Sequence, residues 1–85
     1  MEKIKQKIPK WFNGEIYDKG DTVTNPFSGQ SYELTAEELS MYDFIIGANA
    51  VFEAGIYNMS LADDMQKGLT WFRKNNVDAY FVLLD

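Results

Sequence analysis

Eighty-five residues with no cysteine and no histidine leave out disulfides, the common zinc ligand sets and any Ser–His or Cys–His relay within one chain. Apolar residues make up 46% and aromatics 15%, against 6 Gly and 2 Pro, the composition of a folded domain and not of a disordered tail. The net charge of −5 divides into +3 over residues 1–10 (four Lys against Glu2) and −8 over residues 11–85 (4 basic, 12 acidic), so the body of the chain repels phosphate backbones and anionic lipid.

These priors give a basic arm over residues 1–10 and a single α+β domain over residues 11–85. In the arm, Ile4 and Ile8 stand among lysines, the pattern of a loose segment or of a charge-guarded edge strand. No apolar h-region follows it, and the most apolar run, Phe44 to Phe52, is far short of the ~20 residues that span a bilayer. The expectation is therefore a protein without a membrane partner, in a cytoplasmic compartment.

Trp11 to Leu34 reads as a three-stranded antiparallel meander. "WFNGEIY" supplies the first strand, and "DKGD" a hairpin loop with Gly20 at a left-handed position. "TVT" at 22–24 forms the second strand and "QSYEL" the third, with Tyr32 and Leu34 on one face. Between them "NPFSG" turns the chain. Asn25 can close an Asx-turn, Pro26 fixes φ, and Gly29 can take positive φ. Three short strands need a covering helix.

Two or three helices follow. Thr35 and Glu38 have capping-box spacing, and Glu37 and Glu38 suit the positive end of the helix dipole. This first helix runs to a stop near Gly55, with Leu39, Tyr42, Ile45, Ile46, Phe52 and Ile56 as its apolar face and Asp43 and Glu53 as its only formal charges between Leu39 and Ile56. A second N-terminus is placed at Ser60, with Asp63 three residues on. Leu61, Met65, Leu69 and Phe72 form one stripe, and Asn75 or Asn76 is the expected left-handed C-cap. Val77, Tyr80, Phe81 and Leu84 fit a short third helix, while "YFVLL" also reads as a buried strand; Asn76 as N-cap with Asp78 in the first turn favours the helix.

Chemistry-bearing patterns are few. Neighbouring carboxylates (Glu37/Glu38, Asp63/Asp64) point about 100° apart on a helix, so helix capping explains them better than catalysis or magnesium binding. Ser28 is a turn serine, without the nucleophile-elbow glycines, and no phosphate-cradling loop is present. No catalytic, cofactor or metal residues are assigned. The aromatics Trp11, Phe12, Tyr17, Phe27 and Tyr32 resemble a base-stacking platform only in number, because acidic residues surround them; nucleic acid is not an expected partner. Phe27, at a loop tip with no core to enter, is the first candidate for touching a partner protein. The C-terminal "AYFVLLD", with Tyr80, Phe81 and Leu84, is the second, although docking on its own core is the simpler reading. Gly47, Ala50 and Ala54 form a small row that admits either this chain's second helix or another copy. Burial returns about 135 kcal/mol against about 130 kcal/mol of ordering cost, a margin thin enough to favour a homo-oligomer.

The stretch from "KWFNGEIYDKGDTVTNPFSGQSYELTAEELSMYDFI" through "KGLTWFRKNN" to "AYFVLLD" resembles a group of small uncharacterised proteins of marine cyanophages with contractile tails, most strongly in "TNPFSGQSYEL" and "WFRKNN". The group brings no activity and no site residues. The resemblance implies a viral accessory protein in the cytoplasm of an infected bacterial host, with host or phage proteins as partners. The leading expectation is a non-enzymatic protein–protein interaction module that self-associates. One alternative is a transcription accessory factor that engages host RNA polymerase or a sliding clamp through the acidic-hydrophobic C-terminus. Another is a small enzyme or ligand binder.

Overall fold

The computed structural model describes residues 6–84, in the order β1 (Asp21–Thr24), β2 (Ser31–Leu34), α1 (Ala36–Glu53), α2 (Met59–Asn75) and α3 (Val77–Leu83). Strands ahead of helices give the expected α+β class, with two strands in place of three. The strands pair antiparallel in the register Asp21↔Leu34 and Val23↔Tyr32. Val23, Tyr32 and Leu34 therefore share the inner face, while Thr24 and Ser31 join hydroxyls at 2.7 Å on the outer one.

The turn between them forms as its residues require. The Asn25 carboxamide accepts from the N–H of Phe27 at 2.8 Å, and Gly29 takes φ 78°. Asn25 also donates to the carbonyl of Val82 at 2.9 Å, pinning the hairpin to α3.

The expected first strand, "WFNGEIY", is irregular. A strand would send Trp11 and Phe12 to opposite faces, yet both join one aromatic cluster with Phe44, with ring centroids 5.5–6.2 Å apart and edge-on. The N–H of Tyr17 is spent on the buried hydroxyl of Ser40 at 2.9 Å instead of on a neighbouring strand. Nor does "DKGD" make a hairpin loop, because Gly20 has no positive φ. What Gly20 supplies is proximity: a Cβ there would lie 1.9 Å from the carbonyl oxygen of Leu34. Residues 11–20 are thus a strap across α1.

The capping box at Thr35 is present on both sides, with the N–H of Glu38 donating to the Thr35 hydroxyl at 3.1 Å and the N–H of Thr35 to the Glu38 carboxylate at 3.0 Å. α1 buries Met41, Ile45 and Ala48. Of its six expected core residues only Ile45 is fully buried. Leu39, Tyr42 and Phe52 are half-buried, and Ile46 and Ile56 are exposed. Apolar residues stand all round this helix, so spacing alone could not choose its inner face. Gly55, at φ 87°, ends it as expected.

α2 folds back along α1. Its N-cap is Asn58, whose carboxamide accepts from the N–H of Leu61 at 3.0 Å, two residues ahead of the expected Ser60; Asp63 makes no cap. Gly68 leaves room for α1, since a Cβ there would meet Met41 Sδ at 3.0 Å and Ile45 Cγ1 at 3.4 Å. Below it Phe72 is fully buried. Asn76 closes α2 and opens α3, accepting from the N–H of Ala79 at 3.1 Å. It does so with φ −156°, not in the left-handed region that was expected of an asparagine C-cap. α3 is a helix, as expected, but it buries Ala79 and Leu83. Tyr80 and Leu84 are half-buried, and Phe81 turns outward.

The caps give a direct check. Thr35→Ala and Asn58→Ala should each cost about 1 kcal/mol in denaturant melts, whereas Ser60→Ala should stay within about 0.5 kcal/mol of wild type.

Candidate functional site

Three regions hold what the fold does not consume. The first is an open groove of about 970 Å³ between the sheet, the start of α1 and the α2–α3 junction, lined among others by Asp21, Glu33, Glu37, Glu38 and Lys74. The most buried residue among its polar lining is Glu38, only 3% exposed. The carboxylate takes donors from Gln6 Nε2, from the Thr35 N–H and from Asn76 Nδ2 at 3.1 Å. The Thr35 hydroxyl in turn donates to Gln6 Oε1 at 2.6 Å. Glu38 therefore ties the incoming chain, the start of α1 and the start of α3 into one node. With three donors in place it is a structural acceptor. Among the described residues no three acidic side chains gather as metal ligands, and no helix is long and apolar enough to cross a membrane.

The second region is the outward face of α1. The row Ser40, Asp43, Gly47, Ala50, Ala54 runs along it. The strap covers its N-terminal part: the Tyr17 N–H reaches Ser40, and the Tyr17 hydroxyl donates to Asp43 at 2.9 Å. Gly47, Ala50 and Ala54 lie beyond the strap and are all exposed, and nothing lies within 4 Å of where a Gly47 Cβ would be. The small row is thus not the packing surface for this chain's own second helix; Gly68 serves that contact from the other side. Past the row, the α1–α2 elbow leaves Ile56, Tyr57 and Met59 61–73% exposed. A cleft of about 410 Å³ opens there between Phe52, Ile56, Tyr57 and Met65. Asp63 lies on its rim, and Asp64 pairs with Lys67 at 3.9 Å.

The strap carries a pH signature. The hydrogen bond to Asp43, then burial and the charges of Asp43 and Glu15, raise the Tyr17 phenol above its ordinary 10.0. The folded chain holds this proton more tightly than the unfolded chain. The contribution is complete below pH 10 and is lost as pH rises through the folded-state value. Asp43→Asn should move the alkaline absorbance titration of Tyr17 back toward 10.0, with Tyr17→Phe identifying the signal.

The third region comprises the hairpin tip and α3. Phe27 is 97% exposed and Phe81 58%. Tyr80 meets Phe81 edge-on at 5.6 Å and carries Arg73 at 5.8 Å on its ring, so only part of the proposed C-terminal contact set is free. Of the arm expected over residues 1–10, residues 6–10 fall among those described. Ile8 packs on the core, and Lys7 accepts from the Trp71 indole at 3.0 Å. Residues 1–5 lie outside the described residues, and Ile4 with them.

Sequence reasoning missed Asn58, Gly68 and the exposed pair Tyr57 and Met59. Asn58 stood as close to the apolar run as Ser60 did and is an equally good cap, which was the one available signal. The chain matches no family model, no curated protein and no solved structure.

Proposed function

We propose that this chain is a non-enzymatic protein–protein interaction module that self-associates, acting as a phage accessory protein in the cytoplasm of an infected bacterial cell. The observation that carries self-association is the uncovered C-terminal half of α1 with its elbow. Gly47, Ala50 and Ala54 are exposed between Ile46 at 43% and the still more exposed Ile56, Tyr57 and Met59. Those four large side chains alone present on the order of 500 Å² to water, the size of the largest apolar patch on a typical monomer, which is often the functional one. This stretch is also poor in charge, Glu53 being the only formal one from Phe44 to Ala62. A chain of net charge −5 can meet its own kind most cheaply there.

Sedimentation at micromolar to millimolar protein should show species heavier than one 9.8 kDa chain. Ala50→Glu, at an exposed helix position, should leave the melting curve close to wild type and weaken association at least tenfold. A clean monomer throughout, with Ala50→Glu indistinguishable from wild type, would sink this reading. A second reading has α3 present Phe81 to host RNA polymerase or a sliding clamp. The outward position of Phe81 on a docked helix supports it, with the ring as the contact and not a free tail.

A further inference from the structure

We infer that Phe27 of one copy inserts into the elbow cleft of a second copy, joining chains head to tail; this rests on the self-association reading and names its contact. Phe27 is 97% exposed, yet its backbone is fixed. Its N–H is held by Asn25 at 2.8 Å, Gly29 donates to the Asn25 carbonyl at 2.9 Å, and Asn25 is tied to Val82. The turn that carries this ring is pre-organised, so insertion costs the rotamer freedom of the ring but little backbone freedom.

The elbow cleft is the matching vacancy. Its lining runs from Phe52 to Gln66, so Phe27 of the same chain does not fill it. Its volume of about 410 Å³, open to solvent, leaves room for a phenyl ring. Phe52 and Tyr57, 6.2 Å apart and tilted by 35°, offer a third ring both faces and edges. Charge favours a second copy arriving by this turn. The run Thr22 to Tyr32 is uncharged, and Phe27 stands at its centre, so the turn approaches the Asp63 rim of another acidic chain without repulsion.

Two copies that exchanged knobs would close as a two-fold dimer, whereas one contact passed on head to tail propagates into rings or open chains, so a wild-type mass that stops at two chains overturns the head-to-tail form. One ring and its turn bury little area, which places the contact among weak, transient interfaces.

The test is sedimentation equilibrium of the full chain up to millimolar concentration. Wild-type mass should rise with concentration past that of two chains. Phe27→Ser and Ile56→Glu change residues 97% and 61% exposed, so their circular dichroism melts should match wild type. Each alone should stay at the mass of one chain. Mixed in equal amounts they should form a two-chain species and nothing larger, because one keeps the cleft and the other keeps the knob. If wild type associates while Phe27→Ser associates equally, or while the mixture stays monomeric, the head-to-tail contact is overturned and self-association stands. If wild type remains a monomer at millimolar concentration, both are overturned.

Discussion

Glu38→Ala should lower stability by about 3–4 kcal/mol in urea melts, a large share of the ~5–15 kcal/mol that holds a domain together. The carboxylate is 3% exposed and receives Gln6, the Thr35 N–H and Asn76. Hydrogen bonds to a charged acceptor contribute about 1.5–3 kcal/mol each, and truncation leaves donors from three separate segments facing a void. Among the described residues no Lys or Arg stands within ion-pair distance of Glu38, so removing it strands dipoles and not a buried cation. Glu38→Gln should not rescue, because its amide would turn two hydrogens toward donors. Asn76→Ala removes one of the three donors and also the α3 cap. In a double-mutant cycle with Glu38→Ala the losses should fall short of additive by at least ~0.5 kcal/mol. A loss below about 1 kcal/mol for Glu38→Ala would mean that water takes over the node.

The local half of that node was legible in the sequence, and the distant half was not. Thr35 and Glu38 stand three residues apart, and a capping box needs nothing else. Gln6 and Asn76 lie 32 and 38 residues from Glu38, and no spacing rule brings them to it. The same division runs through the fold. The Asn25 turn, the Gly55 stop and the Asn76-capped α3 are short-range structures and form where their residues place them. The segment from Trp11 to Tyr17 alternates poorly, and its partners are side chains of α1, so tertiary contact and not strand propensity decides its path. The inner face of α1 was illegible because every side of that helix is apolar. Of the interaction candidates, Phe27 could be read directly, since a turn carries no core of its own. The exposure of Gly47, Ala50 and Ala54 became visible only once Gly68 was seen to take the packing against α1.

Ending the chain after Asn76 should abolish the cooperative unfolding transition altogether. α3 packs on β2 and contributes Ala79 and Leu83 to the core that also holds Leu34 and Phe72. Removing it would uncover Leu34, now 2% exposed, and free the Asn25 carboxamide from Val82, so the hairpin loses both its packing and its anchor. Single substitutions should divide the helix by face. Leu83→Ala, at 7% exposure, should cost about 3 kcal/mol, within the 2–5 usual for a buried leucine. Phe81→Ala should cost less than about 1 kcal/mol, because its ring is 58% exposed and loses little beyond the edge contact with Tyr80. The sequence pattern alone would have ranked Phe81 with the core, so this order of effects separates the two placements. A costly Phe81→Ala beside a mild Leu83→Ala would rotate α3 by about a third of a turn or more and put Phe81 inside. With the order as stated, Phe81→Ala becomes the informative variant for binding. It leaves the fold intact, so any loss of polymerase or clamp capture would come from the ring itself. The truncation cannot serve that purpose, since an unfolded chain loses every partner at once.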